Sequence, residues 1–236
     1  MKPLNQYTHI FFDMDGTVTR SRTRITPGMK EALESLMASG RDVIIISGQG
    51  ADAIRDQVGS ASYFLGQNGN DAIEASSGVQ LWKEVLSDEE RQAILDHIAS
   101  LPRDWEIKDE NDLVHDRGSQ IGFSFLGFNE DIERKEAFDP TGALRKQILK
   151  EHPLVSDTVE VKIGGTTTLD YIKKGYHKGF NIEKLIIKLQ WDKADCLYIG
   201  DALFPGGNDE AVIGVIDTLQ VAGPEETMER IKDILR

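Results

Sequence analysis

Three runs of the chain, HIFF at 9–12, DVIIIS at 42–47 and CLYIG at 196–200, place apolar residues back to back where a half-exposed strand would alternate them with polar ones. A strand that is apolar on both faces has to be covered on both, and a parallel sheet between two helical layers does this. The required helices are present. TPGMKEALESLMASG at 26–40 has Thr26 as N-cap, Pro27 at the first helical position and Gly40 at the end. GADAIRDQVG at 50–59 predicts a short helix and SYFLG at 62–66 a third buried strand, while KGFNIEKLIIKLQ at 178–190 and PEETMERIKDILR at 224–236 predict two late helices. Both ends of the chain therefore predict one α/β fold, a doubly wound parallel sheet.

The middle follows a different pattern. DAIEASSGVQLWK at 71–83 predicts a hairpin turning at Ser77-Gly78, and SDEERQAILDHIAS at 87–100 opens on a capping box, Ser87 with Glu90. Strands are expected at 104–108, 113–117 and 120–126, a helix near 141–151, and two more strands at 158–165 and 167–173. Strands and helices in that order suggest an α+β unit with an antiparallel sheet, inserted into the α/β part. The expected organisation is a core of residues 1–83 and 177–236 around an insert of 84–176.

Composition narrows the function. At 236 residues and 39% hydrophobic content the chain can bury a sizeable core, and its net charge of −13 leaves no basic face for nucleic acid or an anionic membrane. No apolar run approaches the roughly 20 residues of a bilayer span, and MKPLNQYTH lacks the apolar stretch of a secretory signal, so a cytoplasmic location is expected. The single cysteine, Cys196, lies within CLYIG and reads as a buried thiol.

The polar residues that follow the buried strands carry the chemistry. Asp13 and Asp15 stand one residue apart where the first strand ends, at the carboxyl edge where open α/β sheets bind ligands. Two carboxylates so close repel unless a proton or a metal lies between them. A turn is the competing reading, whereas a calcium loop needs a longer D-x-D-x-D-G spacing than DMDG offers. Ser47 follows the second strand, where a helix cap is the plainer explanation. Lys178 opens a helix although cations are unfavourable at the positive dipole end, which points to a functional counter-ion. GDALFPGGND at 200–209 adds Asp201, Asn208 and Asp209 after another buried strand. Aspartate, serine, lysine and aspartate clusters at one sheet edge, in that order, make chance a poor explanation.

With DMDGTVT, ISG, the late Lys178 and GDALFPGGND in that order, the sequence resembles the haloacid dehalogenase superfamily over nearly its whole length. Within it, DGTVTRSRTRI, GQNGN, IGGTTTLDY and GDALFPGGND are most similar to eukaryotic-type phosphomannomutases, with a type IIB cap. The resemblance implies a Rossmann-like core with an inserted α+β cap. It implies Asp13 as the nucleophile that becomes aspartyl-phosphate, Asp15 as general acid/base, and Ser47 and Lys178 as phosphoryl-binding groups. It further implies Mg²⁺ held by Asp13, the Asp15 carbonyl and Asp201, with Asn208 and Asp209 as further ligands or groups orienting Asp201. Arg22, Arg117, Lys135, Thr168 and Asp170 would contact the substrate. A polar strand face is the competing reading for Arg117, Thr168 and Asp170, and a solvated face is the reading for Arg20 and Arg24.

One departure bears on substrate. Where phosphomannomutases carry a second cap arginine, this chain has Phe128, and the next expected arginine falls on Lys135 with Arg134 one residue away. The expectation is therefore a Mg²⁺-dependent phosphoryl-transfer enzyme acting on a small phosphorylated sugar, phosphomannomutase-like, with hydrolysis as the alternative outcome and a non-catalytic phosphosugar-binding protein as a remoter one. A homodimer is the candidate assembly.

Overall fold

The computed structural model describes residues 1–20 and 23–236. Its chain divides into two compact units, Met1–Lys83 with Tyr176–Arg236, and Glu84–Gly175.

In the first unit, chain order runs β1 (His9–Asp13), α1 (Pro27–Ala38), β2 (Asp42–Ile46), α2 (Ala51–Val58), β3 (Tyr63–Gly66), β4 (Asp71–Glu74) and β5 (Gln80–Lys83). In the second it runs α3 (Asp88–Ser100), β6 (Val114–Asp116), β7 (Gln120–Ser124), α4 (Ile132–Phe138), α5 (Ala143–Glu151), β8 (Val159–Ile163) and β9 (Thr168–Lys173). The first unit then resumes with α6 (Lys178–Leu189), β10 (Cys196–Gly200), β11 (Asp217–Gln220) and α7 (Pro224–Leu235).

The large sheet has the order β11-β10-β1-β2-β3-β4-β5. Its first five strands run parallel, and β4 and β5 close it as an antiparallel hairpin. The uninterrupted apolar runs have the predicted cause. Ile10 and Phe12 of β1 pack on one side with Leu33 and Leu36 of α1, Ile54 of α2 and Ile231 of α7; Phe11 packs on the other with Ile182, Leu185 and Ile186 of α6. The expected α/β architecture is thus present. β11, with only Leu219 apolar in DTLQ, escapes sequence reading because an edge strand needs no buried run.

The second unit has the antiparallel sheet β6-β7-β9-β8. One face carries Ile121, Phe123, Leu169, Tyr171 and Val159 into an apolar cluster with Ile94 and Ile98 of α3 and Ile148 of α5. Two expectations change here. Residues 104–108 form no strand: Trp105 and Ile107 alternate with polar neighbours because they pack on that cluster, Trp105 edge-on to Phe125 and Phe138, without a ladder of hydrogen bonds. Conversely, α4 is a helix, started by Asp131, whose carboxylate accepts from the Glu133 and Arg134 amides. That cap was legible in the sequence as Asp131 ahead of IERKEAF.

Candidate active site

β1 and β10 are neighbours in register, Phe12 opposite Ile199, so the chain delivers Asp13 and Asp201 to the same end of the sheet. After Asp13 the backbone wraps around the Met14 carbonyl, which accepts from the amides of Thr17, Val18 and Thr19. Gly16 is required twice: its φ is +86°, and a Cβ there would lie 2.6 Å from Asp201 Oδ2. Thr17 Oγ1 in turn donates to Asp201 Oδ1 at 3.4 Å.

Lys178, the first residue of α6, is 1% exposed and gives all three of its protons to this cluster. Nζ donates to Asp13 Oδ1 at 2.5 Å, to Asp209 Oδ1 at 2.7 Å and to the Tyr198 hydroxyl at 3.4 Å. Burial alone would lower the ammonium's affinity for its proton, but Asp13 and then Asp209 hold it above the ordinary lysine value. That pairing answers the puzzle of a cation at a helix N-terminus. Asp209 is held in place by the Tyr198 hydroxyl, which donates to Oδ1 at 2.6 Å, and by the Ala202 amide on Oδ2 at 3.3 Å. A Cβ on Gly200 would stand 2.4 Å from Asp209 Oδ2, so the glycine of G-D makes room for that carboxylate.

Oxygens of Asp13, Asp201 and Asp209 lie within 4.8 Å of one another. Burial, opposed by Lys178, pushes the Asp13 carboxyl up to about 7, and the charges of Asp209 and Asp201 add to the rise. The Asp201 carboxyl is raised too, by burial first. Asp13 Oδ2 is buried and has no hydrogen-bond partner among the described residues. Three carboxylates against one ammonium leave an excess of two negative charges around an unsatisfied oxygen, which suits a divalent cation. The donors are all oxygens, with no Cys or His, the set that selects a hard ion such as Mg²⁺.

The remaining expected residues fall as follows. Asp15 is half-buried and accepts from Gln49 Nε2 at 3.1 Å; Gln49 Oε1 in turn accepts from Gln57. Ser47 is buried just past β2, and its hydroxyl accepts from the Gln49 amide. Asn208 is exposed, next to the buried Asp209. Arg22 lies outside the described residues. Arg117, Thr168 and Asp170 gather on the open face of the second unit's sheet: Asp170 is opposite Gly122, Thr168 is opposite Ser124, and a Cβ on Gly164 would meet Asp170 Oδ2 and Thr168 Oγ1. Lys135 is buried, with Nζ donating to the Phe128 carbonyl at 2.8 Å.

Sequence reasoning missed three residues. Tyr198 is hidden inside an apolar strand. Asn181 donates to the Asn68 carbonyl and to Asn70 Oδ1, each at 3.0 Å, holding the GQNGN loop in which Gln67 and Asn68 take φ of 51° and 59°. A polar residue in the buried stripe Lys178, Asn181, Ile182, Leu185 of α6 was the available signal. Arg145, 3% exposed, pairs with Asp139 at 2.8 Å and donates to the carbonyls of Gly164, Gly165 and Thr168, fixing the loop that carries Thr168.

Residues 10–153 match the profile of the haloacid dehalogenase-like hydrolases. The chain belongs to that family. Among curated relatives of this hydrolase, a probable phosphomannomutase of Caenorhabditis elegans is 25% identical over 99% of this chain and 98% of its own length. The phosphomannomutase of Spinacia oleracea is 26% identical over 94% of both. Among solved structures, a subclass IIB sugar phosphatase of the superfamily superposes with a TM-score of 0.61 at 18% identity, covering 96% of this chain and all of that one. A Bacteroides thetaiotaomicron phosphatase of the superfamily superposes with a TM-score of 0.68 at 12% identity over 97% of this chain and 96% of its own. These likenesses agree with the fold built above. The chain is an enzyme of the phosphotransferase and phosphatase type that these relatives represent. No described helix is long and apolar enough to cross a membrane.

Proposed function

We propose that this enzyme moves a phosphoryl group from a phosphorylated sugar onto Asp13 and from there to a second acceptor. The observation that carries the reading is the Asp13 carboxylate itself: buried, fixed at Oδ1 by Lys178 and, among the described residues, without a partner at Oδ2. The phosphomannomutase and sugar-phosphatase relatives supply the substrate class.

In the first half-reaction a carboxylate oxygen of Asp13 attacks phosphorus, the ester P–O bond breaks, and Asp15 gives its proton to the departing sugar oxygen. In the second, a sugar hydroxyl or water attacks the aspartyl-phosphate, returns a proton to Asp15 and releases the carboxylate. Lys178 stays charged throughout and offsets the negative charge gathered on the phosphoryl oxygens. A Mg²⁺ held by Asp13, the Asp15 carbonyl and Asp201, with Asp209 alongside, would cancel the repulsion between carboxylate and phosphate dianion. Ser47 and Arg22 are assigned to the phosphoryl oxygens, and Arg117, Thr168 and Asp170 to the sugar. Return of the phosphoryl group to sugar is phosphomannomutase chemistry, and its delivery to water is hydrolysis. Phe128 in place of a cation favours the second.

The test is Asp13→Asn, which keeps shape and loses the attacking charge. Phosphate release from hexose phosphates should fall about a thousandfold or more while circular dichroism stays native. Turnover near the native rate in the folded variant would defeat the assignment.

A further inference from the structure

Gln49 stands where the polar ends of β1, β2 and β3 meet in the first unit. Its amide N–H donates to the Ser47 hydroxyl at 3.2 Å, its carbonyl accepts from the Gln67 amide at 2.6 Å, and its side-chain Nε2 donates to Asp15 Oδ2 at 3.1 Å. The backbone from which that side chain projects is fixed. The Gly50 carbonyl accepts from the Ile54 amide as α2 begins, and β3 passes so close that a Cβ on Gly66 would lie 2.2 Å from the Ala51 nitrogen. Backbone atoms there cannot swing aside, so the loop between β2 and α2 holds its place.

An amide side chain can present either its oxygen or its nitrogen to a neighbour, and Gln57 decides which end of Gln49 faces Asp15. From the last turn of α2, Gln57 Nε2 donates to Gln49 Oε1 at 3.1 Å, which leaves Nε2 of Gln49 for the carboxylate. The reverse orientation would set one oxygen against another on the Asp15 side and two N–H groups against each other on the Gln57 side. Gln57 keeps its own Oε1 buried with no partner among the described residues. An unsatisfied buried amide oxygen lowers stability, so stability alone gives no reason for the arrangement. A donor chain running from Gln57 through Gln49 to Asp15 does. Such local conflicts are expected at functional sites.

A carboxyl that protonates the leaving oxygen in one half-reaction and takes a proton from the incoming hydroxyl in the other has to point the same way twice. We propose that Gln49 is a positioning residue for the proton transfers of Asp15, with Gln57 fixing its amide, an assignment that rests on the phosphoryl-transfer reading given above. The neutrality of the partner matters. An ammonium or guanidinium in that place would favour the carboxylate and oppose its protonation, whereas an amide N–H holds the carboxyl in both of the states through which it must pass. Gln49 acts through Asp15 and not on phosphorus, so its effect is confined to the steps in which a proton moves.

The experiment compares two kinds of ester in Mg²⁺. One is glucose 6-phosphate or mannose 6-phosphate, whichever the native enzyme hydrolyses faster, whose sugar oxygen needs a proton to leave. The other is p-nitrophenyl phosphate, whose aryl oxygen keeps the bonding electron pair and leaves as the anion while the Asp13–phosphorus bond forms. Gln49→Met keeps the length of the side chain and removes the donor. Its kcat for the hexose phosphate should fall about tenfold to a hundredfold, with KM within about threefold of native. With p-nitrophenyl phosphate the same variant should still phosphorylate Asp13 at a rate within about threefold of native, read as a burst of p-nitrophenolate stoichiometric with enzyme, because only the following attack of water, which gives its proton to Asp15, has slowed. Gln57→Met leaves the Gln49 amide able to turn; it should show the same pattern at smaller amplitude, and it keeps the measurement decisive if Gln49→Met fails to fold. A burst rate that falls as far as hexose phosphate turnover would show that Gln49 only holds the loop, and an unchanged kcat on the hexose phosphate would show that Asp15 needs no such partner. Either result overturns the proposal, while turnover by the native enzyme leaves the phosphoryl-transfer reading intact. Absence of phosphate release and of any burst from the native enzyme on both esters overturns both.

Discussion

Asp139 and Arg145 form a buried ion pair in which every oxygen is accounted for: Asp139 accepts from the Arg145 guanidinium and from the amides of Leu144 and Arg145. Burial opposes its ionisation, yet the hydrogen bonds from Arg145 and Leu144 hold its carboxyl below the usual value. A carboxyl depressed in the folded state contributes stability above its unfolded pKa of about 3.9 and loses that contribution as pH falls through its lower folded value. Arg145→Met leaves Asp139 buried and uncompensated. The expected cost is about 3–5 kcal/mol in chemical unfolding at neutral pH, shrinking as the pH falls and the uncompensated Asp139 becomes protonated. A cost that does not change with pH would mean that packing, not charge, holds the 164–168 loop.

Helix α6 owes its position to what its residues lack as well as to what they carry. Gly179 follows Lys178, and a Cβ there would fall 1.9 Å from the Ala211 carbonyl oxygen, a backbone atom that cannot swing aside. Helix propensity favours Ala over Gly by about 1 kcal/mol, so propensity and packing predict opposite signs for Gly179→Ala. Packing should win. The expected result is a loss of about 1–3 kcal/mol in thermal or denaturant unfolding, with reduced kcat because the displaced helix start carries Lys178 away from Asp13. The GQNGN loop belongs to the same element: Gly69 leaves space for Asn181, whose Cβ would lie 2.4 Å from a Cβ at 69.

For the whole molecule, the surplus of negative charge at Asp13, Asp201 and Asp209 is a folding cost that a divalent cation removes. Anything bound only by the folded state adds RT ln(1 + [L]/Kd), about 2.7 kcal/mol at a hundredfold excess over Kd. For a chain of this size that corresponds to a rise in Tm of about 5–10 °C in Mg²⁺, abolished by EDTA together with phosphate release. Unchanged melting and full turnover in EDTA would show that Lys178 alone balances the cluster. The inserted unit does not contribute carboxylates to this group, so a change confined to it, such as Asp170→Asn, should leave the Mg²⁺ shift in place.

The layered α/β architecture, the antiparallel sheet of the second unit, and the aspartates and lysine that stand at the strand ends and helix start are legible in the sequence. Each of these leaves a local mark: unbroken apolar runs, caps, glycines and charges at strand ends. Tertiary structure alone decided which partners those charges found. Lys178 bridges Asp13 and Asp209 across 165 and 31 residues of chain, and Tyr198 joins them from inside an apolar strand, relations that no local pattern encodes. It likewise turned Asp209 inward while leaving Asn208 exposed, since the direction of a side chain in an irregular loop depends on what packs beside it. The strand expected at 104–108 failed for the related reason that alternation records which side chains are buried, whereas a strand also needs a neighbouring backbone to bond. At Phe128 the sequence showed only that a cation was missing. The fold decided that none would replace it, because Arg134 and Lys135 were already held by nearer oxygens.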